Sequence, residues 1–133
     1  MRLALALCLV ASPALADSYV AFQSPSGNIM CGLYLAETSA SLRCDLNELT
    51  PSYTRQPAEC EFDWGFSFAV DDRGQGYLAC VSDAVGDPNA RVLGYGEMLS
   101  LGGITCRSEK TGMTCTNTAG HGFAISKARQ KVF

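Results

Sequence analysis

The sequence carries a single histidine, His121, held between Gly120 and Gly122. An imidazole supports acyl-transfer hydrolysis when it lies within hydrogen-bond reach of a serine hydroxyl and an orienting carboxylate. Ser24, Ser26 and Ser126 are candidate nucleophiles, but no Gly-x-Ser-x-Gly elbow presents any of them. Flanking glycines also suit a tight bulge in which His121 bonds the backbone. That structural role is the first expectation, with contact to a ligand or partner second and catalysis third.

The stretch Ser24-Pro25-Ser26-Gly27-Asn28 poses a similar choice. Pro25 fixes φ, Ser and Asn side chains bond nearby backbone, and Gly27 adds freedom, which together make a turn. A phosphate cradle would need a following helix or the lysine of a Walker loop, and here an apolar run of strand character follows. Ser24, Ser26 and Asn28 are therefore read first as a turn and second as a ligand-contacting loop. Trp64 alternates with Phe66 and Phe68, a core pattern, although a bend at Gly65 would tip Trp64 outward toward a partner. Glu59, Glu61, Asp63, Asp71 and Asp72 are expected on a solvated face, and no EF-hand spacing is present. Tyr95 between Gly94 and Gly96 names no cofactor. Lys127, Arg129 and Lys131 make a local basic patch, read as solubility before docking. No metal or cofactor is expected.

The elements that must position these residues are marked by cysteines. The segments Gly27-Asn28-Ile29-Met30-Cys31, Gly76-Tyr77-Leu78-Ala79-Cys80 and Gly102-Gly103-Ile104-Thr105-Cys106 share a Gly-x-apolar-x-Cys pattern. In extended chain the apolar residue and the Cys face one way, toward the core. Pairing Cys31 with Cys44 sets Ile29 opposite Leu46 and Leu33 opposite Leu42, a register that a one-residue slip would turn to solvent. Pairing Cys106 with Cys115 sets Ser108 against Met113 and leaves Glu109 to Gly112 as the loop. Elimination joins Cys60 to Cys80. A straight strand from Phe62 to Val70, turning at Asp72 to Gly76, would place Cys80 opposite Phe66 and leave Cys60 out of reach. Either the chain bends, at Gly65, or Cys60 pairs elsewhere. Helical periodicity is nearly absent. Ser126 followed by Lys127 to Lys131 is expected to cap a short C-terminal helical turn.

The first residues read as a leader: Met1-Arg2, the apolar run Leu3 to Ala11, and a small-x-small ending before Asp17. Residues 1–16 are expected to be a signal peptide with cleavage after Ala16, and 17–133 a single domain. Cys8 lies in the leader, which leaves the other six of the seven cysteines for three disulfides, as suits an exported domain. The formal net charge of −3, made more negative by loss of Arg2, argues against nucleic acid and anionic membranes as partners.

Phe22-x-Ser24-Pro25-Ser26-Gly27-Asn28 with Cys31, Cys44-Asp45, Asp63-Trp64-Gly65, Tyr95-Gly96, Gly112-Met113-Thr114-Cys115-x-Asn117 and Gly120-His121-Gly122-Phe123-x-Ile125-Ser126 together resemble a family of small exported bacterial proteins, known as a domain of unknown function. The resemblance covers nearly all of residues 19–133. It implies a bacterial exported protein and carries over no activity, ligand or catalytic residue.

The expectation is a mostly β single domain of antiparallel hairpins stapled by three disulfides. It would act as a monomeric, non-catalytic binding or inhibitory module, periplasmic or extracellular, with an unknown protein or a small envelope ligand as partner. A small hydrolase using His121 with a nearby serine, and a structural envelope component, are the alternatives.

Overall fold

The computed structural model describes residues 17–133, and the expected leader lies outside the described residues. Among the described residues all regular structure is strand. The first sheet is built from Ser18–Gln23 (β1), Ile29–Leu35 (β2), Ala40–Leu46 (β3), Ser67–Asp71 (β4), Tyr77–Leu78 (β5) and Arg91–Val92 (β6). Its order is β5-β4-β3-β2-β1-β6, antiparallel except for the β1 and β6 pair. The second sheet holds Met98–Leu101 (β7), Ile104–Glu109 (β8), Gly112–Asn117 (β9), Gly122–Ile125 (β10) and Gln130–Val132 (β11), in the order β11-β10-β9-β8-β7.

The inward residues of both sheets form one core. Phe22, Leu33, Leu42, Phe68 and Val70 come from the first sheet, and Ile104, Met113, Phe123 and Ile125 from the second. Period-two alternation in each strand sends these side chains to one face, and their burial is the main favourable term for folding. The registers follow the sequence reading: Cys31 pairs Cys44 with Ile29 on Leu46 and Leu33 on Leu42, and Cys106 pairs Cys115 with Ser108 on Met113. Both disulfides lie inside the core, with Cα atoms 4.0 and 4.1 Å apart. Each closes a short loop and stabilises by about 3 kcal/mol in the chain-entropy model.

Cys60 does pair with Cys80, with Cα atoms 5.6 Å apart. The register Phe68 to Leu78 extrapolates to Phe66 opposite Cys80. Gly65, at φ 92°, then turns the chain as the bridge requires. The long strand expected from Phe62 to Val70 is consequently cut to β4, and an isolated bridge between Asp63 and Val81 takes the place of its first half. Phe62 is 59% exposed and Trp64 and Phe66 are partly exposed, so of this run only Phe68 and Val70 are core. Cys80 also departs from the inward-facing pattern. It falls beyond the end of β5 at the sheet edge and is exposed.

The C-terminal helical turn does not form. Ser126 behaves like a cap, its hydroxyl accepting the Arg129 N–H at 3.1 Å, but its own N–H donates to the Arg129 carbonyl and the chain reverses into β11. Tertiary pairing overrides local propensity here: Gln130 is buried, donating to the Ser126 carbonyl at 2.9 Å and accepting the Ser52 N–H at 2.9 Å, and β11 pairs with β10.

Candidate functional site

Extending the β2–β3 register one step beyond Ile29 and Leu46 brings Asn28 opposite Asn47. The Asn28 amide clasps the next residue: Oδ1 accepts the Glu48 N–H at 2.8 Å and Nδ2 donates to the Glu48 carbonyl at 2.9 Å. Asn47 Nδ2 donates to the Gly27 carbonyl at 2.9 Å. Within the loop, Ser24 Oγ accepts the Ile29 N–H at 3.1 Å, Ser26 Oγ accepts the Asn28 N–H at 3.2 Å, and the two hydroxyls share a bond of 3.3 Å. Ser24, Ser26 and Asn28 thus build the turn that the sequence suggests.

The same turn forms one wall of a cleft of about 510 Å³. The opposite wall is the tip of the β8–β9 hairpin, where Glu109 faces Gly112 across the two-residue loop Lys110-Thr111. Gly112 has φ 136°, and a Cβ there would collide with the Ile125 carbonyl, so this tip needs glycine. Tyr95 and the Ser126-Lys127 turn close the ends. Lys127 Nζ sits 3.0 Å from Glu48 Oε2, an exposed ion pair that ties the third wall to the first. Such exposed pairs contribute little to stability, and their side chains can exchange partners with a ligand.

The lining offers more donors than its own bonds use. Ser24 and Ser26 carry two hydroxyl protons and spend one on each other, so one is left over. Among the described residues Lys110 has no carboxylate within ion-pair distance, and Lys127 keeps two N–H donors beyond its bond to Glu48. Glu48 and Glu109 balance Lys110 and Lys127, which leaves a polar cleft without strong net charge. It can hold a small ligand rich in acceptor oxygens. The Ser24–Asn28 wall is held by bonds to its own backbone, from the Ser24, Gly27, Asn28 and Ile29 N–H groups.

His121 and Trp64 are elsewhere. His121 lies at the β9–β10 turn, its N–H donating to Asn117 Oδ1 at 3.1 Å and its carbonyl accepting the Asn117 N–H at 2.8 Å. Ser126 is at the other end of β10, five residues on and roughly 16 Å away by strand rise. Ser24 and Ser26 line the cleft at that same far end, so the imidazole and these hydroxyls do not form the constellation that serine hydrolysis needs. Trp64 sits in the bend beside the Cys60–Cys80 bridge. Among the described residues no group of three or more His, Cys, Asp or Glu side chains is gathered as a metal centre requires.

Sequence reasoning passed over Asn47, Glu48, Tyr95, Glu109, Lys110 and Lys127 as cleft residues. A signal existed for Asn47, because the register inferred from the cysteines places it against Asn28. For Lys110 and Lys127 none did, since their meeting depends on how the two sheets pack. Comparisons with curated proteins and with solved structures returned no match. A family model does match, over residues 1–133, and the chain belongs to that family, DUF6636, a family of unknown function.

Proposed function

We propose that this chain is an exported bacterial binding module, without catalytic activity of its own, whose cleft between the Ser24–Asn28 loop and the β8–β9 tip takes a small polar ligand of the cell envelope or its surroundings. One observation carries it: the Gly27-Asn28 and Asn47-Glu48 segments are locked together by amide bonds, the Lys127 turn is tied to the second of them, and donors on the cleft lining are left unspent. Three disulfides in a small domain suit an oxidising compartment. The leader-like start of the sequence agrees with export. A rigid scaffold loses little entropy when a ligand docks, which favours binding from a modest set of contacts.

Capture from envelope and culture extracts on the immobilised oxidised protein tests this. The wild type and His121→Ala are expected to retain the same ligand, and Lys110→Glu and Asn28→Ala to lose it. Turnover of the captured ligand that disappears in His121→Ala would overturn the reading.

A further inference from the structure

The outer face of the first sheet carries a second feature that the cleft does not use. Period-two alternation puts Tyr19, Tyr34, Ser41 and Asp71 in one row across β1 to β4, and Gly32, Arg43, Ala69 and Tyr77 in the next. Tyr19, Tyr34 and Tyr77 are 54%, 47% and 42% exposed on this single face. The floor between the rings is low. Gly32 has no side chain, Tyr19 lies directly over it, and Ala69 is buried. Exposed tyrosines on a flat sheet supply large, stiff contact area at small entropic cost, which is why they are enriched where proteins meet.

Two of the three rings are held by carboxylates. Tyr34 donates to Asp17 Oδ2 at 2.7 Å and Tyr77 to Asp71 Oδ1 at 3.1 Å, with Ser41 also donating to Asp71. Among the described residues Tyr19 makes no such bond; its strongest charged neighbour is the Arg43 guanidinium, with Asp45, Asp87 and Asp83 acting behind it. The cation in their midst, Arg43, is already bonded by Asp45 and Asp83. All three phenols are raised above the ordinary value of 10.0, Tyr19 and Tyr77 first by burial and Tyr34 first by its bond to Asp17. The opposite outer face carries Arg107 and Lys131 in one row of the second sheet, with Arg107 paired to Glu109.

We infer that the tyrosine face docks a cationic segment of a partner protein, whose Arg or Lys side chains lie over Tyr19, Tyr34 and Tyr77 and pair with Asp17 and Asp71. Charge complementarity selects this occupant. Cations over phenol rings gain from the ring quadrupole while the flanking carboxylates pair with them.

The probe is an arginine-rich peptide of a dozen residues, titrated into the oxidised full-length product with amide shifts recorded, against a glutamate-rich peptide of equal length. The expected result is shifts confined to β1 to β5, at least tenfold weaker binding in Tyr34→Ala and Tyr77→Ala with the carboxylates intact, and no binding of the acidic peptide. Gly32→Ala serves as a second variant, because its Cβ displaces the flexible end of Tyr19 without touching a carboxylate; it too is expected to weaken binding. Binding unchanged by loss of the rings would reduce the contact to general charge attraction and overturn the inference. So would concentration-dependent dimers in sedimentation equilibrium that vanish in Tyr34→Ala, since the occupant would then be a second copy.

Discussion

Replacing Asn28 by alanine removes the clasp that joins the first wall of the cleft to the Asn47-Glu48 turn. Two bonds are lost, from Glu48 N–H to Oδ1 at 2.8 Å and from Nδ2 to the Glu48 carbonyl at 2.9 Å. A typical net contribution is about 0.5–1.5 kcal/mol per bond. The position is partly exposed, so both Glu48 groups regain water when the amide is gone, and the loss is expected near the lower end, about 1–2 kcal/mol in total. For a domain of this size that corresponds to roughly 4–8 °C in Tm. Urea denaturation measures the cost, and amide exchange locates it. Glu48 and Asn47 should lose protection while Cys106 and Cys115 keep theirs. Asn28→Asp should do no better, because a carboxylate can still accept the Glu48 N–H but faces the Glu48 carbonyl with no proton to give. A variant as stable as wild type within about 0.3 kcal/mol, with Glu48 protection unchanged, would show that the clasp fixes nothing and that the cleft wall is not built as described.

Asn117 should matter more for stability, since its buried amide spends its full capacity: Nδ2 donates to the Asp71 and Gly74 carbonyls and Oδ1 accepts the Ala119 and His121 N–H groups. Asn117→Ala is expected to cost about 2–4 kcal/mol, seen as a lower urea midpoint at unchanged m-value. His121→Ala, whose bonds here run through the backbone, should stay within about 0.5 kcal/mol of wild type and leave ligand capture intact. Tyr77 holds its proton above pH 10.0 because of burial and then Asp71. A raised folded-state value means that its contribution to stability is full below 10 and is lost as pH rises through the folded value. Phenolate absorbance at 295 nm should therefore show this group titrating late in wild type and earlier in Asp71→Asn.

The cysteine spacing made the two core hairpins legible, because two staples and an alternating pattern leave one register that buries Ile29, Leu33, Leu42 and Leu46 together. Reach alone posed the bend at Gly65 as one of two outcomes, the other being a different partner for Cys60, and the Cys60–Cys80 bridge decides for the bend. The fate of the long strand was not legible, since alternation from Phe62 to Val70 says nothing about the torsion that the Cys60–Cys80 bridge imposes. The tail misled for a different reason: Ser126 to Lys131 has helix-compatible chemistry, and only the buried Gln130 and the open edge of β10 turn it into β11. At the candidate site the Ser24–Asn28 turn was readable from local chemistry, whereas its partners Lys110 and Lys127 come from distant turns. The tyrosine face also stayed hidden, because Tyr19, Tyr34 and Tyr77 share a face only once the strand order is known.

The central claim, that the cleft is the ligand site, is tested most directly by the amide shift map of the oxidised protein on addition of the captured ligand. Shifts gathered on Ser26, Gly27, Asn28, Lys110, Gly112, Ser126 and Lys127 are the predicted result. A map centred on Gly120 to Gly122 at the other end of β10, with the Ser24–Asn28 loop unmoved, would contradict it.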